Sequence, residues 1–305
     1  MTPSFDPGLT RQYTGSLIRT INKDGSFNVR RRGFRRAAGG AYVRLIHTTW
    51  PRFLGIILVG YLAVNGIFTA IYLMLGPGAL HASERDLGLT HAAQAFFFSA
   101  QTLTTVGYGA LYPYGVAADL IAALEVTVGL AGFALATSLM FARFSRPSAR
   151  LVFSRQLVVA PYGPQTSLQF RIANQRSNVL MEVEAEVMLM TVEKDKDGNL
   201  KRNFVELALE RRRIFFLALT WTIVHPIDDA SPLWGKTTED LERWQAEVLI
   251  LIKGYDDSFS QVVHTRYSYR WDEINWSVRF VPAFDVSPAG HLVLDVDRIH
   301  ETAPV

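Results

Sequence analysis

The sequence contains no cysteine, which excludes disulfides, thiolate nucleophiles and cysteine-held metals and is compatible with a reducing compartment. Residues 1–49 hold no apolar run, so no cleaved signal peptide is expected. The seven histidines are scattered, no pair of them stands at metal-ligand spacing with a carboxylate, and no nucleophile motif occurs. Nothing therefore points to an enzyme. No G-x-G-x-x-G turn follows residue 150, which argues against a doubly wound nucleotide-sensing domain. Positive charge is nearly missing from one stretch: between residues 76 and 115 the only Lys or Arg is Arg85.

What is present balances two environments. Of the 305 residues 49% are hydrophobic, which is high for a soluble protein, while 19% are charged, too many for a chain wholly inside a membrane. The mean hydropathy of +0.12 lies between the two classes. A chain of about two domains, one in the membrane and one in water, fits best. The net charge of +3 does not suggest nucleic acid, because the basic residues are not spread evenly. Ten lie between Arg11 and Arg52, including the cluster Arg30, Arg31, Arg32, Arg35 and Arg36, and Arg143, Arg146, Arg150 and Arg155 follow the second apolar run. A solvated basic arm is the plain alternative for the cluster. Flanking charge of this kind places both termini in the cytoplasm and the segment between the runs outside.

Taken in order, Ala41 to Thr49 carries Tyr42, Leu45 and Ile46 on one helical face, as a short helix at a membrane interface would. Phe53 to Leu75 is apolar apart from Asn65 and a few hydroxyl residues, and its length gives about 35 Å of helix, enough to span a bilayer. Trp50 and Tyr72 stand near its ends, where aromatic belts occur. Gly76 to Leu89 reads as a polar loop, and Ala92 to Leu103 as a helix too short to span. Val116 to Phe141 is the second span, with Asp119, Glu125, Gly129 and Gly132 inside it. A carboxylate there faces protein or water, and Glu125 is read as hydrogen-bonding behind the short helix. Gly129 is either a hinge or a close-packing point.

From Arg150 the period changes to two. Leu168, Phe170 and Ile172 alternate with polar residues, as do Met181, Val183, Ala185, Val187 and Leu189 with Glu182, Glu184 and Glu186. Lys194 to Asn199 has the composition of a hairpin turn. Ile214 to Val224, Val248 to Ile252, Gln261 to Tyr269, Val278 to Phe284 and His291 to Val296 read as further strands, and Asp240 to Glu247 as a short helix. Many short strands at this spacing predict an antiparallel sandwich.

Directly after the short helix comes Thr104-Thr105-Val106-Gly107-Tyr108-Gly109. Gly107 and Gly109 can adopt positive φ and turn successive carbonyls to one side. Thr105 adds a hydroxyl oxygen, and Val106 and Tyr108 can pack outward. The stretch resembles the TVGYG filter of potassium channels, in which four copies replace the hydration shell of K⁺ with backbone carbonyls.

Three more stretches narrow the resemblance. Asn22-Lys23-Asp24-Gly25-Ser26-Phe27-Asn28-Val29, Ala142-Arg143-Phe144-Ser145-Arg146-Pro147, and Trp221 to Asp228 with Ser231-Pro232-Leu233 resemble signature segments of inward-rectifier potassium channels, most closely the prokaryotic branch. The resemblance implies a homotetramer. Each subunit would hold a cytoplasmic N-terminal segment (1–40), an interfacial slide helix (41–49), a pore domain (50–146) and a cytoplasmic immunoglobulin-like β-sandwich (147–305). Within the pore domain the outer helix would be 50–75, the pore helix 91–103, the filter 104–109 and the inner helix 116–143.

By the same resemblance K⁺ would bind at Thr105, Val106, Gly107 and Tyr108, with Gly109 closing the filter and Glu125 and Gln101 supporting it. Phe133 and Thr137 would line the cavity and Phe141 would form the gate, with Gly129 the candidate hinge if it is not a close-packing point. Counting 100° per residue from Phe133 places Met140 closer to the same line than Phe141, a conflict the resemblance resolves toward Phe141. Phe133 stands where strongly rectifying relatives carry an acidic residue, and Ala110 where an Asp commonly follows the filter. Glu182 and Asp257 match acidic positions of a cytoplasmic pore. Arg143 and Arg146 would bind anionic phospholipids or phosphoinositides. No cofactor is implied beyond the permeant K⁺, no nucleic-acid partner is expected, and the location would be the inner cell membrane. The competing readings are a potassium channel of another two-helix class and a membrane-anchored binding protein with a β-sandwich domain.

Overall fold

The computed structural model describes residues 8–9, 12–13, 19–29, 39–82, 89–145, 150–194 and 200–305. The arginine cluster at 30–36, Arg146 and the turn residues 195–199 lie outside the described residues. The chain divides into two units, Gly33–Arg146, and Met1–Arg32 together with Pro147–Val305.

From the N-terminus the elements are β1 (Gln12–Tyr13), α1 (Gly39–His47), α2 (Trp50–Leu75), β2 (Leu80–Ala82), α3 (His91–Leu103), β3 (Leu111–Pro113) and α4 (Val116–Phe144). α2 begins with Pro51 in its first turn, where a missing N–H is harmless, and stops at Gly76, whose φ of 91° a residue with a Cβ would resist. α3 starts at Thr90, whose hydroxyl accepts from the Ala93 N–H at 3.3 Å. α2 and α4 are long and apolar enough to cross a membrane, and only 11% of the most apolar stretch of each is buried within the chain.

What they do bury is a small core around α3. Phe68 and Tyr72 of α2 meet Ala95 and Phe98 of α3, with Leu80 and Leu111 from the β2–β3 pair at its end. This corrects the reading of Tyr72 as a belt residue. Its side chain is fully buried, its ring stands edge-on to Phe98 at 5.1 Å, and its hydroxyl donates to Glu125. Trp50 at the other end is 39% exposed and packs against Phe53 and Phe144.

The second unit continues with β4 (Leu151–Phe153), β5 (Leu157–Tyr162), β6 (Gln165–Asn174), β7 (Leu180–Lys194), β8 (Leu200–Glu206), β9 (Arg213–Leu217) and β10 (Thr220–Ile227). Then come α5 (Thr238–Arg243), β11 (Glu247–Asp256), β12 (Gln261–Arg270), β13 (Ile274–Trp276) and β14 (Val278–Phe280). β15 (Phe284–Val286), β16 (Leu292–Leu294) and β17 (Thr302–Pro304) close the chain. One sheet runs β1-β8-β7-β11-β12 with β9 also on β7; the other runs β10-β6-β5-β13 with β4 on β6. Alternate residues of the two sheets, among them Leu168, Phe170 and Ile172 from β6 and Val183, Ala185, Val187 and Leu189 from β7, fill one shared core.

Three segments differ from the sequence reading. The run Ile214 to Val224 is not one strand: β9 and β10 belong to different sheets, broken at Ala218-Leu219. The run Val278 to Phe284 is likewise divided between β14 and β15, which pair with β17 and β16 respectively. The helix expected at Asp240 to Glu247 starts earlier, because Thr237 and Asp240 form a reciprocal capping box, and Glu247 already begins β11.

Residues 19–29 dock on this sandwich. The buried carboxylate of Glu247 accepts from the Thr20 N–H at 2.9 and 3.1 Å and from the Ile21 N–H at 3.3 Å. Lys23 reaches Glu273 at 2.9 Å, donates to the Ser268 carbonyl, and lies over the rings of Tyr267 and Tyr269. Burial pulls its ammonium below the ordinary lysine range, with Glu273 opposing that shift. Gly25 has φ +79° and passes so close to β12 that a Cβ would lie 2.8 Å from the Arg266 carbonyl oxygen. The Lys23-Asp24-Gly25 segment is thus a docked turn.

Candidate ion filter and its supports

The segment after α3 turns back at once. Thr104 donates to the Ala100 carbonyl, Thr105 to that of Thr102 and Val106 to that of Gln101, at 3.2, 3.0 and 2.8 Å. The last turn of α3 therefore holds the start of the segment through main-chain bonds. Beyond it, positive φ recurs at every second residue: Thr105 at 59°, Gly107 at 53° and Gly109 at 77°, while Val106 and Tyr108 do not share it. Alternation of positive and negative φ can turn successive carbonyls toward one side, as a column of desolvated cations would require. Thr105 was not expected among them. A left-handed β-branched residue costs roughly 1–2 kcal/mol, and such strain is found at functional sites. The side chains of Val106 and Tyr108 are 49% and 79% exposed on this chain, so the outward packing expected of them needs atoms the single chain does not supply.

Behind α3 the structure collects a polar group from each neighbouring helix. Glu125 of α4 is fully buried and accepts from the Tyr72 hydroxyl at 2.9 Å and from the Ser99 hydroxyl. Ser99 is also within 3.3 Å of the Asn65 carbonyl. Gln101, expected beside Glu125 as a support, contributes its main-chain carbonyl to Val106. Tyr72, Ser99 and Asn65 were missed in the sequence. The available signal was that Asn65, Phe68 and Tyr72 stand at i, i+3 and i+7 on one face of α2.

Gly129 lies one turn after Glu125 on the same face of α4. A Cβ there would sit 2.1 Å from the Leu103 carbonyl oxygen, and the helix runs through the position without interruption. Close packing therefore requires a glycine here. Gly132 has nothing within 4 Å of the corresponding point.

Phe133, Thr137 and Phe141 follow at i, i+4 and i+8 and are all exposed on the single chain, Phe133 and Phe141 at 73% and 71%. Met140 is half-buried, which separates it from this stripe.

Arg143, expected at a lipid headgroup, has partners within the protein. Its guanidinium donates to the carbonyls of Leu45, Ile46 and Thr48 at 2.5, 3.0 and 2.6 Å, closing the C-terminal end of α1. It also lies over the rings of Trp50 and Phe53 at 4.7 and 4.5 Å. A helix C-terminus attracts a cation, and the two rings add to that attraction.

In the sandwich, Glu182 occupies a β-bulge of β7, with φ +50°, where the pairing to β11 shifts between Lys253 and Tyr255. The same register places Asp257, just beyond β11, at the same end of the strand pair. The Glu182 carboxylate is 2.8 Å from the Arg213 guanidinium, so its charge is partly balanced. His225 of the Trp221 to Asp228 stretch is buried, with Nδ1 2.6 Å from the Ala208 carbonyl oxygen and Nε2 2.8 Å from the Ser231 hydroxyl. Burial holds its imidazole below the ordinary histidine range.

Residues 151–305 match the family described as inward rectifier potassium channel C-terminal domain, and residues 56–146 match an ion channel family. The chain is 37% identical over 287 residues to the inward rectifier potassium channel Kirbac3.1 of Paramagnetospirillum magnetotacticum, covering 93% of this chain and 96% of that one. It is 27% identical over 310 residues to the mouse G protein-activated inward rectifier potassium channel 3, covering 94% of this chain and 78% of that one. Against the human ATP-sensitive inward rectifier potassium channel 10 the identity is 27% over 329 residues, covering 99% of this chain and 84% of that one.

Proposed function

The chain belongs to the inward rectifier potassium channel family, and from that premise we propose that it forms a homotetrameric, K⁺-selective pore in the inner cell membrane. The observation that carries this reading is the alternation of positive φ at Thr105, Gly107 and Gly109, held by the last turn of a helix lying between two spans. Four such segments about one axis would surround K⁺ with the main-chain oxygens of Thr105, Val106, Gly107 and Tyr108. The exposure of Tyr108, Phe97 and the stripe Phe133–Thr137–Phe141 on the isolated chain supports an assembly whose other copies cover or face them.

α4 then lines the cavity and the gate. Four copies of Phe141 would close the path by excluding water, with Met140, half-buried, as packing beside it. Phe133 is apolar, so a polyamine or Mg²⁺ in the cavity meets no carboxylate and strong voltage-dependent block is not expected. Glu182 and Asp257, at one end of the β7–β11 pair, would gather cations in a cytoplasmic vestibule, with the contribution of Glu182 reduced by Arg213. Both termini are assigned to the cytoplasm from the excess of Lys and Arg flanking the two spans. An anionic lipid headgroup finds its cation at Arg52, which is exposed and lines a hollow with Thr48, Gly55, Ile56, Val59 and Gly60. Arg143 is assigned to holding α1 to α4.

The test is ⁸⁶Rb⁺ uptake into liposomes containing the purified protein, across a lipid series, with Ba²⁺ as blocker and Na⁺ as competitor. Uptake that is blocked by Ba²⁺ and competed by K⁺ but not Na⁺ is expected. No uptake in any lipid would favour the membrane-anchored binding protein.

A further inference from the structure

Four polar side chains, Asn65, Tyr72, Ser99 and Glu125, are fully buried in a unit otherwise built of apolar helices, and they come from all three helices around the filter. Among the described residues no basic side chain pairs with Glu125; its two oxygens are met by the hydroxyls of Tyr72 and Ser99. Burying a carboxyl in this way is costly, and apolar residues of similar volume would generally pack at least as stably. What a buried polar network adds is a defined relative position, because its bonds break when the helices slide.

The position it defines is that of the filter. Ser99 lies one residue before Ala100, and Ala100, Gln101 and Thr102 supply the carbonyls that hold Thr104, Val106 and Thr105. One turn further along α4, Gly129 abuts the Leu103 carbonyl. The last turns of α3 are therefore pulled by Glu125 and stopped by Gly129, with Tyr72 bonding the same carboxyl from α2.

We propose that Tyr72 and Ser99 are positioning residues of the filter, which with Glu125 brace α3 against both long helices and so set the spacing of the ion-binding carbonyls. This rests on the conduction reading above. It predicts that removing either hydroxyl changes how ions bind in the filter, beyond changing how many channels form.

The experiment compares wild type, Tyr72→Phe, Ser99→Ala and the double variant as full-length protein in liposomes. It measures the tetramer by size-exclusion chromatography, the ⁸⁶Rb⁺ uptake amplitude, the Ba²⁺ concentration that halves uptake, and competition by Na⁺. A role confined to folding would lower the amplitude and leave the Ba²⁺ constant where it was. The expected result is tetrameric protein whose Ba²⁺ constant shifts at least fivefold in each single variant, with the double variant shifting less than the product because both hydroxyls act on one carboxyl. Thr127→Val, which removes a bond within α4 to the Ala123 carbonyl, is expected to leave the Ba²⁺ constant unchanged.

Tetrameric single variants with the wild-type Ba²⁺ constant and Na⁺ discrimination would overturn the proposal. So would failure of both to assemble, which would make the polar set a folding element alone. If wild type itself shows no K⁺-selective uptake, the conduction reading fails instead.

Discussion

In the β-sandwich, apolar side chains of two sheets fill one core, and two of its buried charges are met by main-chain groups from distant parts of the sequence. Glu247 takes the amides of Thr20 and Ile21, and the Arg171 guanidinium donates to the Val281 carbonyl at 2.6 Å and lies over Phe280. Between α2, α3 and α4 the proportions are reversed. Most of the apolar surface stays uncovered, and the buried carboxyl of Glu125 is met by the side-chain hydroxyls of Tyr72 and Ser99. The difference follows from the solvent. Water drives the sandwich to bury its own apolar faces, whereas a helix in lipid gains nothing from hiding leucines and is positioned by close contacts and hydrogen bonds. Small residues and hydroxyls should therefore matter most in one unit, and main-chain docking and core burial in the other.

The sharpest way to break that contrast is Gly129→Ala. A methyl group 2.1 Å from a backbone oxygen cannot be absorbed by a side-chain movement, and overpacking costs about 1–3 kcal/mol even where side chains can yield. Loss of most of the tetramer on size-exclusion chromatography is expected, while Gly132→Ala, with open space around it, assembles normally.

Gly107→Ala comes next. Its surroundings are open, so the fold should survive, but alanine resists φ +53° and selectivity for Rb⁺ over Na⁺ in liposome uptake should fall at least tenfold.

In the sandwich, Glu247→Ala leaves two amides without their acceptor, at a cost of about 1–3 kcal/mol. Residues 19–28 should become the first site of limited proteolysis, seen by mass spectrometry, with the rest of the sandwich intact. Equal protection in wild type and variant would show that the docking of Lys23 and Arg19 on Glu273 suffices alone.

A smaller effect is expected at the gate. Phe141→Ala should raise the initial uptake rate two- to threefold, and Met140→Ala should change it less; the opposite order would move the constriction by one residue.

The smallest effect concerns pH. The folded His225 takes up a proton only below the ordinary value of 6.5, whereas the unfolded chain takes it up near that value. The unfolded state then binds more protons as pH falls below about 6.5, and stability declines. Thermal unfolding of the protein should shift to lower temperature from pH 7 to 5, with a shallower slope in His225→Gln.

Much of this chain was legible in local pattern. Two uninterrupted apolar runs, a glycine at every second position after a short helix, and alternation from Leu168 to Ile172 each report a conformation that neighbouring residues impose by sterics and solvent alone. The site's supports were legible only in part. Glu125 stood out as a carboxylate within an apolar run, but the tyrosine that bonds it resembled an interfacial anchor until the face of α2 meeting α3 was known. The close-packing role of Gly129 became visible only with the Leu103 carbonyl against it. Arg143 looked free for lipid, since nothing in its neighbours reveals that the end of α1, some 95 residues earlier in the chain, presents three carbonyls to it. The run Ile214 to Val224 hid a change of sheet because its apolar spacing continues across the break. What sequence determined by itself was the conformation of each segment and the solvent it requires; which face meets which partner depends on contacts between residues far apart in the chain, and only the tertiary structure decided it.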